Sequence, residues 1–325
     1  ETLLKAQAHN YDIEFPHYAR GVALLRLGRL DDAVEEISDA LKINELGHVV
    51  SIPNEGRSID TQRIPVKLRQ AAKNGLQTWI AERMSQTFFY HACGYTPINA
   101  SGGKYNGHNT VTAPTSGRQV WRAAGVGESN TADENIESDD VMTLNMIDHM
   151  RELAVTASSP LRPINIEGNY EAGGTDISGG RFVLYVHPYQ ATDLRTSTDT
   201  GQWLDIQKAA ITGDGSKGNP IMTGALGVYN GVVLHESTRI TLGVNSSTGV
   251  AVANTRRAVL CGAQAACVAF GQGQSFEEFD WNEELFDYGN QLGVESGCIF
   301  GIKKLRFNSA DFGTIVVPSY AVQHA

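Results

Sequence analysis

His235-Glu236 places an imidazole beside a carboxylate, the pairing that general acid-base catalysis uses. A zinc hydrolase would need a second histidine at position 239, where Arg239 stands. A hydrolase built on Glu236 and His235 is therefore an alternative, but without a third partner the pair reads as two polar residues at a strand end. Gly213-Asp-Gly215-Ser-Lys-Gly218 has the glycine spacing of a dinucleotide loop, in which backbone N–H groups cradle a pyrophosphate. That loop needs a strand before it and a helix directly after it. Here a helix-like pattern over 202–211 precedes it and Asn219-Pro220 follows, so a surface turn is the better account. Gly103-Lys104 is followed by Tyr105 and lacks the upstream glycine of a P-loop, and no G-x-S-x-G nucleophile elbow occurs. Cys93, Cys261, Cys267 and Cys298 contain no C-x-x-C pair, which is wrong for a zinc ribbon or a redox motif. They are expected as buried free thiols in a core large enough to do without staples. The pattern calls for no catalytic residue, no cofactor and no metal.

The run over 276–287, FEEFDWNEELFD, is a different kind of chemistry: six acids in 12 residues with no base, interleaved with Phe276, Phe279, Trp281 and Phe286. A calcium loop would alternate acids with carbonyl donors around a sharp glycine turn, and no glycine lies inside the run. Aromatic anchors among charges that need basic partners suit a face between subunits. Glu277, Glu278, Trp281, Glu283 and Glu284 are the contact candidates, with Arg256-Arg257 as a possible complement elsewhere in the chain. The plainer alternative is a solvated edge.

These residues need a frame. The 325 residues suggest about two domains, and 41% hydrophobic content is ample for sizeable cores. Lys and Arg number 26 against 36 Asp and Glu, a net charge of -10 that excludes gripping nucleic acid by phosphate neutralisation. Glycine is frequent, at 34, and proline scarce, at 10, which points to an ordered chain with many tight turns. The longest uncharged stretch, 19 residues over 258–276, is interrupted by Gly and Gln and falls short of a bilayer span. A chain that starts at Glu1 reads as a processed or partial product, with no signal peptide visible.

Tyr11, Ile13 and Phe15 alternate with acids as in a half-exposed strand. Residues 18–44 look like a single tetratricopeptide repeat, but one copy cannot bury its own face and no second follows. Residues 61–93 read as one long amphipathic helix, with Leu68, Ala72, Leu76, Trp79, Ile80, Met84, Phe88 and Ala92 on one stripe, Pro65 in the first turn and Gly94 as the cap. Loops and short strands are expected over 95–137. Ser138 caps a further helix, with Asp139 and Asp140 in its first turn. Strands are expected at 182–186, 231–234, 239–244, 299–307 and 312–317. Strands scattered among helices argue for an α+β fold.

Val186-His-Pro-Tyr-Gln190 with Asp193-Leu194 and Trp203, NPIMTGALGVYNGVVLHES over 219–237, RRAVLCGAQAACVAFG over 256–271, WNEELFDYGN over 281–290 and GIKKLRFNSADFGTIVV over 301–317 form five ordered phrases. Together they resemble the major capsid proteins of coliphage N-four-type tailed phages. Upstream, Ile13-Glu-Phe-Pro16 with Ala19-Arg20, Glu35-Glu36, and Glu45-Leu-Gly-His48-Val-Val50 resemble the outgoing and returning arms of that family's extension loop, so Glu35 and Glu36 join the contact candidates. The helix ending in Phe88-Phe-Tyr-His91 resembles its spine helix.

The resemblance implies the Hong Kong 97-type phage major capsid fold. Residues 1–10 would be a remnant of the N-terminal arm and 11–56 the extension loop. Residues 57–137 would form the peripheral domain around spine helix 61–93, 138–300 the axial domain, and 301–325 closing strands shared with the peripheral domain. It implies a structural protein that self-assembles into hexamers and pentamers of an icosahedral shell, is assembled in the host bacterial cytoplasm and ends in the virion. Packaged double-stranded DNA would be enclosed without specific binding. Decoration or cement proteins, scaffolding protein and portal would be the other partners, with no membrane. The alternative of another class is a helical-repeat interaction protein carrying the 18–44 motif.

Overall fold

Leu68, Ala72, Leu76, Ile80 and Met84 recur at one face of a 3.6-residue period, and the chain there forms a 25-residue helix. A computed structural model describes residues 41–54, 67–97, 109–120, 132–164, 181–196, 225–276, 279–307 and 310–324. Its elements in chain order are β1 (Asn44–Pro53), α1 (Leu68–Ala92), α2 (Leu144–Thr156), β2 (Phe182–Val186), α3 (Pro188–Thr196), β3 (Ala225–Tyr229), β4 (Val232–Glu236), β5 (Gly243–Val244), β6 (Ala251–Val252), β7 (Thr255–Cys261), β8 (Ala266–Phe270), β9 (Asp280–Phe286), β10 (Gln291–Lys304), β11 (Arg306–Phe307), β12 (Ala310–Asp311) and β13 (Thr314–Tyr320). The expected strand at 11–15, the repeat-like stretch up to residue 40, Pro65 and the 213–218 glycine motif lie outside the described residues. Among the described residues no helix is long and apolar enough to cross a membrane.

The described residues pack as two compact units. The first draws on the described residues within 1–87, 105–110 and 267–303, the second on those within 88–104, 111–266 and 304–325. Pairing partners far apart in the chain decide this division. Residues 267–303, read from sequence as axial up to 300 and as closing strands beyond it, fall in the first unit, where β10 pairs with β1 from Gln291 to Phe300. Thr314–Tyr320, expected as a strand shared with the peripheral domain, lies against β7 in the second unit.

In the first unit β10 is the central strand. One of its edges takes β1 antiparallel, from Asn44 opposite Phe300 to Pro53 opposite Gln291. The other takes β9, from Gln291 opposite Phe286 to Gly297 opposite Asp280, and then β8. Alternation along β1 turns Leu46, Val50 and Ile52 to the face that packs with Leu68, Ala72 and Leu76 of α1 and with Leu292 and Val294 of β10. His48, on the same face, stacks on Trp79 at 4.6 Å between ring centres.

In the second unit the sheet order is β13-β7-β2-β4-β3, with β2 and β4 parallel and the other pairs antiparallel. Phe182, Leu184 and Val186 face Met146, Ile147, Met150 and Ala154 of α2 and Ala191 and Leu194 of α3. Tyr185, Val259 and Cys261 face the last residues of α1, Phe88, Phe89, Ala92 and Cys93. A sheet covered on both faces explains why these strands are apolar throughout instead of alternating. Full burial of each such side chain contributes about 1.5–3 kcal/mol. Gly94, at φ +62°, ends α1 as expected, with Tyr95 N donating to the Tyr90 carbonyl at 2.9 Å.

The second helix starts later than its sequence suggests. α2 begins at Leu144 after an extended Thr143, and Ser138 caps nothing. Residues 137–140 form a turn in which Asp140 Oδ2 accepts from Glu137 N at 3.0 Å. Val141 bridges to Tyr320, whose N–H donates to the Asp140 carbonyl at 2.9 Å. Pairing with β13 therefore holds the segment extended. Of the expected strand at 239–244, only Gly243–Val244 is regular.

The four cysteines are free thiols. Burial pushes the Cys93 and Cys261 thiols upward and Cys298 to about 11, so none of the three presents a thiolate at neutral pH. Cys267 is half-buried. Titration of the native protein with a thiol reagent is expected to label Cys267 first, with the other three reacting at the rate of unfolding. Fast labelling of all four would contradict this burial.

Candidate functional site

The parallel register puts His235 beside Tyr185, with ring centres 5.8 Å apart, and Glu236 beside Val186 at the exposed end of β4. Among the described residues no group of three or more His, Cys, Asp or Glu side chains could hold a metal ion.

The acidic run forms an edge of the first unit. Its described part, 279–287, includes β9, which among the described residues pairs with β10 alone and is exposed along most of its length. Trp281 and Glu283 turn to the α1 side. Arg69 reaches Glu283 Oε1 from both Nε and Nη2, at 2.9 and 2.7 Å, and Trp281 Nε1 donates to the same oxygen at 2.8 Å. Those hydrogen bonds, Arg69 first and Trp281 second, hold the Glu283 carboxyl below the usual carboxylate range. Lys73 Nζ sits 4.9 Å from the Trp281 ring centre, a cation–π contact. Lys67, Arg69, Gln70, Lys73, Trp281 and Glu283 line a cleft of about 420 Å³. On the opposite face of the strand, Glu284 lies across from Gly293. A side chain at Gly293 would run into the Phe286 ring, so glycine there lets that ring lie on the sheet.

β9 and β10 are joined by a turn in which Asp287, Tyr288 and Gly289 have φ of 50°, 54° and 86°. Two non-glycine residues in the left-handed region cost about 1–2 kcal/mol each. The turn is fastened from β1: Asn54 Nδ2 donates to the Gly289 carbonyl at 2.7 Å and Asn54 N to the Asn290 carbonyl at 2.8 Å. At its apex Tyr288 is 98% exposed, with Leu285 and Phe286 also exposed beside it.

The remaining sequence candidates divide. Trp281, Glu283 and Glu284 share β9, whereas Glu35, Glu36, Glu277 and Glu278 lie outside the described residues. Arg256 and Arg257 sit on β7 in the second unit, and neither is an open surface cation. Arg257 is buried, its Nη2 2.6 Å and its Nε 2.7 Å from Asp133 Oδ2. Its Nη1 donates to the Gly94 carbonyl at 2.7 Å. Asp133 Oδ2 also accepts from Val244 N at 2.7 Å. The Arg257 guanidinium is thus engaged within its own subunit, and Arg256 is half-buried. Sequence reasoning misses Asp133, Lys67, Arg69, Lys73 and Tyr288. The Asp287-Tyr-Gly289 turn signal is the one local clue, since a polar residue close to a glycine at a strand end marks a hairpin.

Beside Arg256 lies a pH-sensitive group. His187 is buried against Tyr189, ring centres 4.4 Å apart, and its Nδ1 accepts from Tyr189 N at 3.2 Å. Burial, and after it the Arg256 guanidinium, lowers its pKa to about 4. The unfolded chain takes up that proton near the ordinary value of about 6.5, so the folded state holds fewer protons in between. The contribution is fully present above about pH 6.5 and is lost as pH falls towards about 4. Urea midpoints at pH 7 and pH 4.5 are expected to differ less for His187→Asn than for the wild type. Equal differences would remove His187 as a cause.

Known proteins show what kind of chain this is. The chain is 25% identical over 287 residues to the major capsid protein of Pseudomonas phage KPP25, covering 81% of this chain and 70% of that protein. Among solved structures it is similar to the capsid of Ralstonia phage GP4, with 28% identity and a TM-score of 0.71 over 87% of this chain and 74% of that one. The cyanophage Pam1 capsid shares the fold, at 22% identity and a TM-score of 0.58 over 86% and 75% of the two chains. The pattern of the family described as phage capsid protein matches residues 30–323. The α+β fold is thus one that phage heads share. Neither the hydrolase nor the helical-repeat alternative survives: the chain belongs to the phage capsid protein family, and its function is that of a phage major capsid protein, a structural subunit of the virion shell and not an enzyme.

Proposed function

We propose that this subunit is of the coliphage N-four type within the Hong Kong 97-type capsid fold. It self-assembles into hexamers and pentamers of an icosahedral shell around double-stranded DNA, in the cytoplasm of the host bacterium. The observation that carries this reading is the pairing of β1 with β10. The residues that resemble the returning arm of an extension loop, 45–50, end in a strand built into the sheet of the first unit. A loop that emerges from such an anchor is marginal alone and gains stability by lying on a neighbouring copy.

The first unit then corresponds to the peripheral domain with α1 as spine helix, the second to the axial domain, and 11–43 to the body of the extension loop. Scaffolding, portal and decoration or cement proteins are the partners such a shell takes. A net charge of -10 suits a wall that encloses DNA without holding it. Electron microscopy of the purified full chain, expressed in bacteria, is expected to show closed shells with hexameric and pentameric units. Only monomers and small oligomers at every concentration tried would overturn the proposal.

A further inference from the structure

The first unit carries a projecting element and a receptive one near the same strand. The projection is the apex of the β9–β10 hairpin, held in a strained left-handed path by Asn54. Strain of this kind persists where surrounding structure enforces it, and it gathers at functional positions. The result is a preorganised knob: a carboxylate on Asp287, then an aromatic ring that is 98% exposed on Tyr288. The receptor is the cleft of about 420 Å³ between α1 and β9, within the size range of pockets that admit a bulky side chain. Lys67, Arg69 and Lys73 line it against a single carboxylate, Glu283, and Trp281 forms an aromatic wall.

We propose that the Asp287-Tyr288-Gly289 apex of one subunit docks in the α1–β9 cleft of a second copy, with the carboxylate of Asp287 meeting Lys73 and its cationic neighbours and the Tyr288 ring lying against them and Trp281. This rests on the capsid reading and names one of the contacts that shell requires. Charge complementarity selects the occupant. A nucleic-acid strand entering the cleft would bring a row of phosphates past Glu283, which already engages Arg69 there, whereas a hairpin apex brings one carboxylate followed by a ring. Cations over a tyrosine face and a carboxylate beside an ammonium are both attractive, and an apex already rigid loses little freedom on docking. Knob and hole differ, so the contact is head-to-tail and can close into a ring of copies.

The test uses the purified full chain and measures the subunit concentration at which shells appear, by light scattering and electron microscopy. Asp287→Lys and Lys73→Glu are each expected to raise that concentration at least tenfold, and the double reversal to restore it to within a few-fold of the wild type. Tyr288→Gly is expected to assemble equally poorly while its subunit is no less stable, because glycine accepts φ 54° without strain. That last variant also guards against a charge reversal that fails to fold. Wild-type assembly thresholds in Tyr288→Gly, or a double reversal no better than the single ones, would overturn the contact and leave the capsid reading standing. Lys73→Glu shells that form normally but bind duplex DNA more weakly would reassign the cleft to nucleic acid and overturn it too. A wild-type chain that never forms shells would overturn both readings.

Discussion

Asp133→Ala is expected to lower subunit stability by about 3–5 kcal/mol, the range for breaking a buried ion pair by removing one partner. Asp133 and Arg257 are both buried, with side chains 1% and 6% exposed. Removing the carboxylate takes the counter-charge from a buried guanidinium, leaving it the Cys93 and Gly94 carbonyls, and it also releases Val244 N, which donates to the same oxygen. Gly243 shows how closely the backbone closes on this point: a Cβ there would lie 2.8 Å from Asp133 Oδ2. The decisive comparison is Asp133→Leu with Arg257→Met in one chain, which removes both charges. It is expected to cost less than Asp133→Ala alone, since a well-packed apolar pair can replace a buried ion pair at little net loss. Urea midpoints of the unassembled subunit at constant slope measure this. A loss below about 1 kcal/mol for Asp133→Ala, as for an exposed pair, would show that water reaches Arg257.

Gly94→Ala is the second large effect, with an expected loss of about 2–5 kcal/mol from two sources. At φ +62° any L side chain is strained, by about 1–2 kcal/mol. An added Cβ would also lie 2.6 Å from Pro114 Cδ and 2.9 Å from both Pro114 N and the Thr112 carbonyl oxygen. Backbone cannot swing aside as a flexible side chain can, so overpacking adds about 1–3 kcal/mol. Gly75 serves as the internal control: it lies in the same helix, has normal φ and open space around its Cα, and Gly75→Ala is expected to stabilise slightly. If the two substitutions gave equal midpoints, the cap geometry at Gly94 would not be what holds the end of the helix.

Gly94 is legible in the amino-acid sequence alone, and the reason separates what sequence reveals from what it hides. The stripe from Leu68 to Ala92 and the glycine after it are local signals, each readable within a few turns of helix. Phe182–Val186 is legible for the same reason. The start of α2 is not: Ser138, Asp139 and Asp140 have every local mark of a cap, but Val141 pairs with Tyr320, far along the chain. β7 hides in an apolar run that suits a buried helix or a buried strand equally. The charges of the acidic run mask the strand character of β9. The adjacent Arg256 and Arg257 look alike in sequence, yet Arg257 is claimed by Asp133, 124 positions away.

β9 has one more consequence, for the time when the subunits are still separate. Among the described residues it pairs on one side only, and such a strand is a template for any extended segment that drifts past while freshly made shell protein accumulates. Asp280, Glu283, Glu284 and Asp287 line that strand and its end with negative charge, and every copy carries the same charges. Two such edges repel each other in register, so indiscriminate strand-to-strand stacking is suppressed. Acids so placed are gatekeepers of the kind that oppose amyloid-like growth.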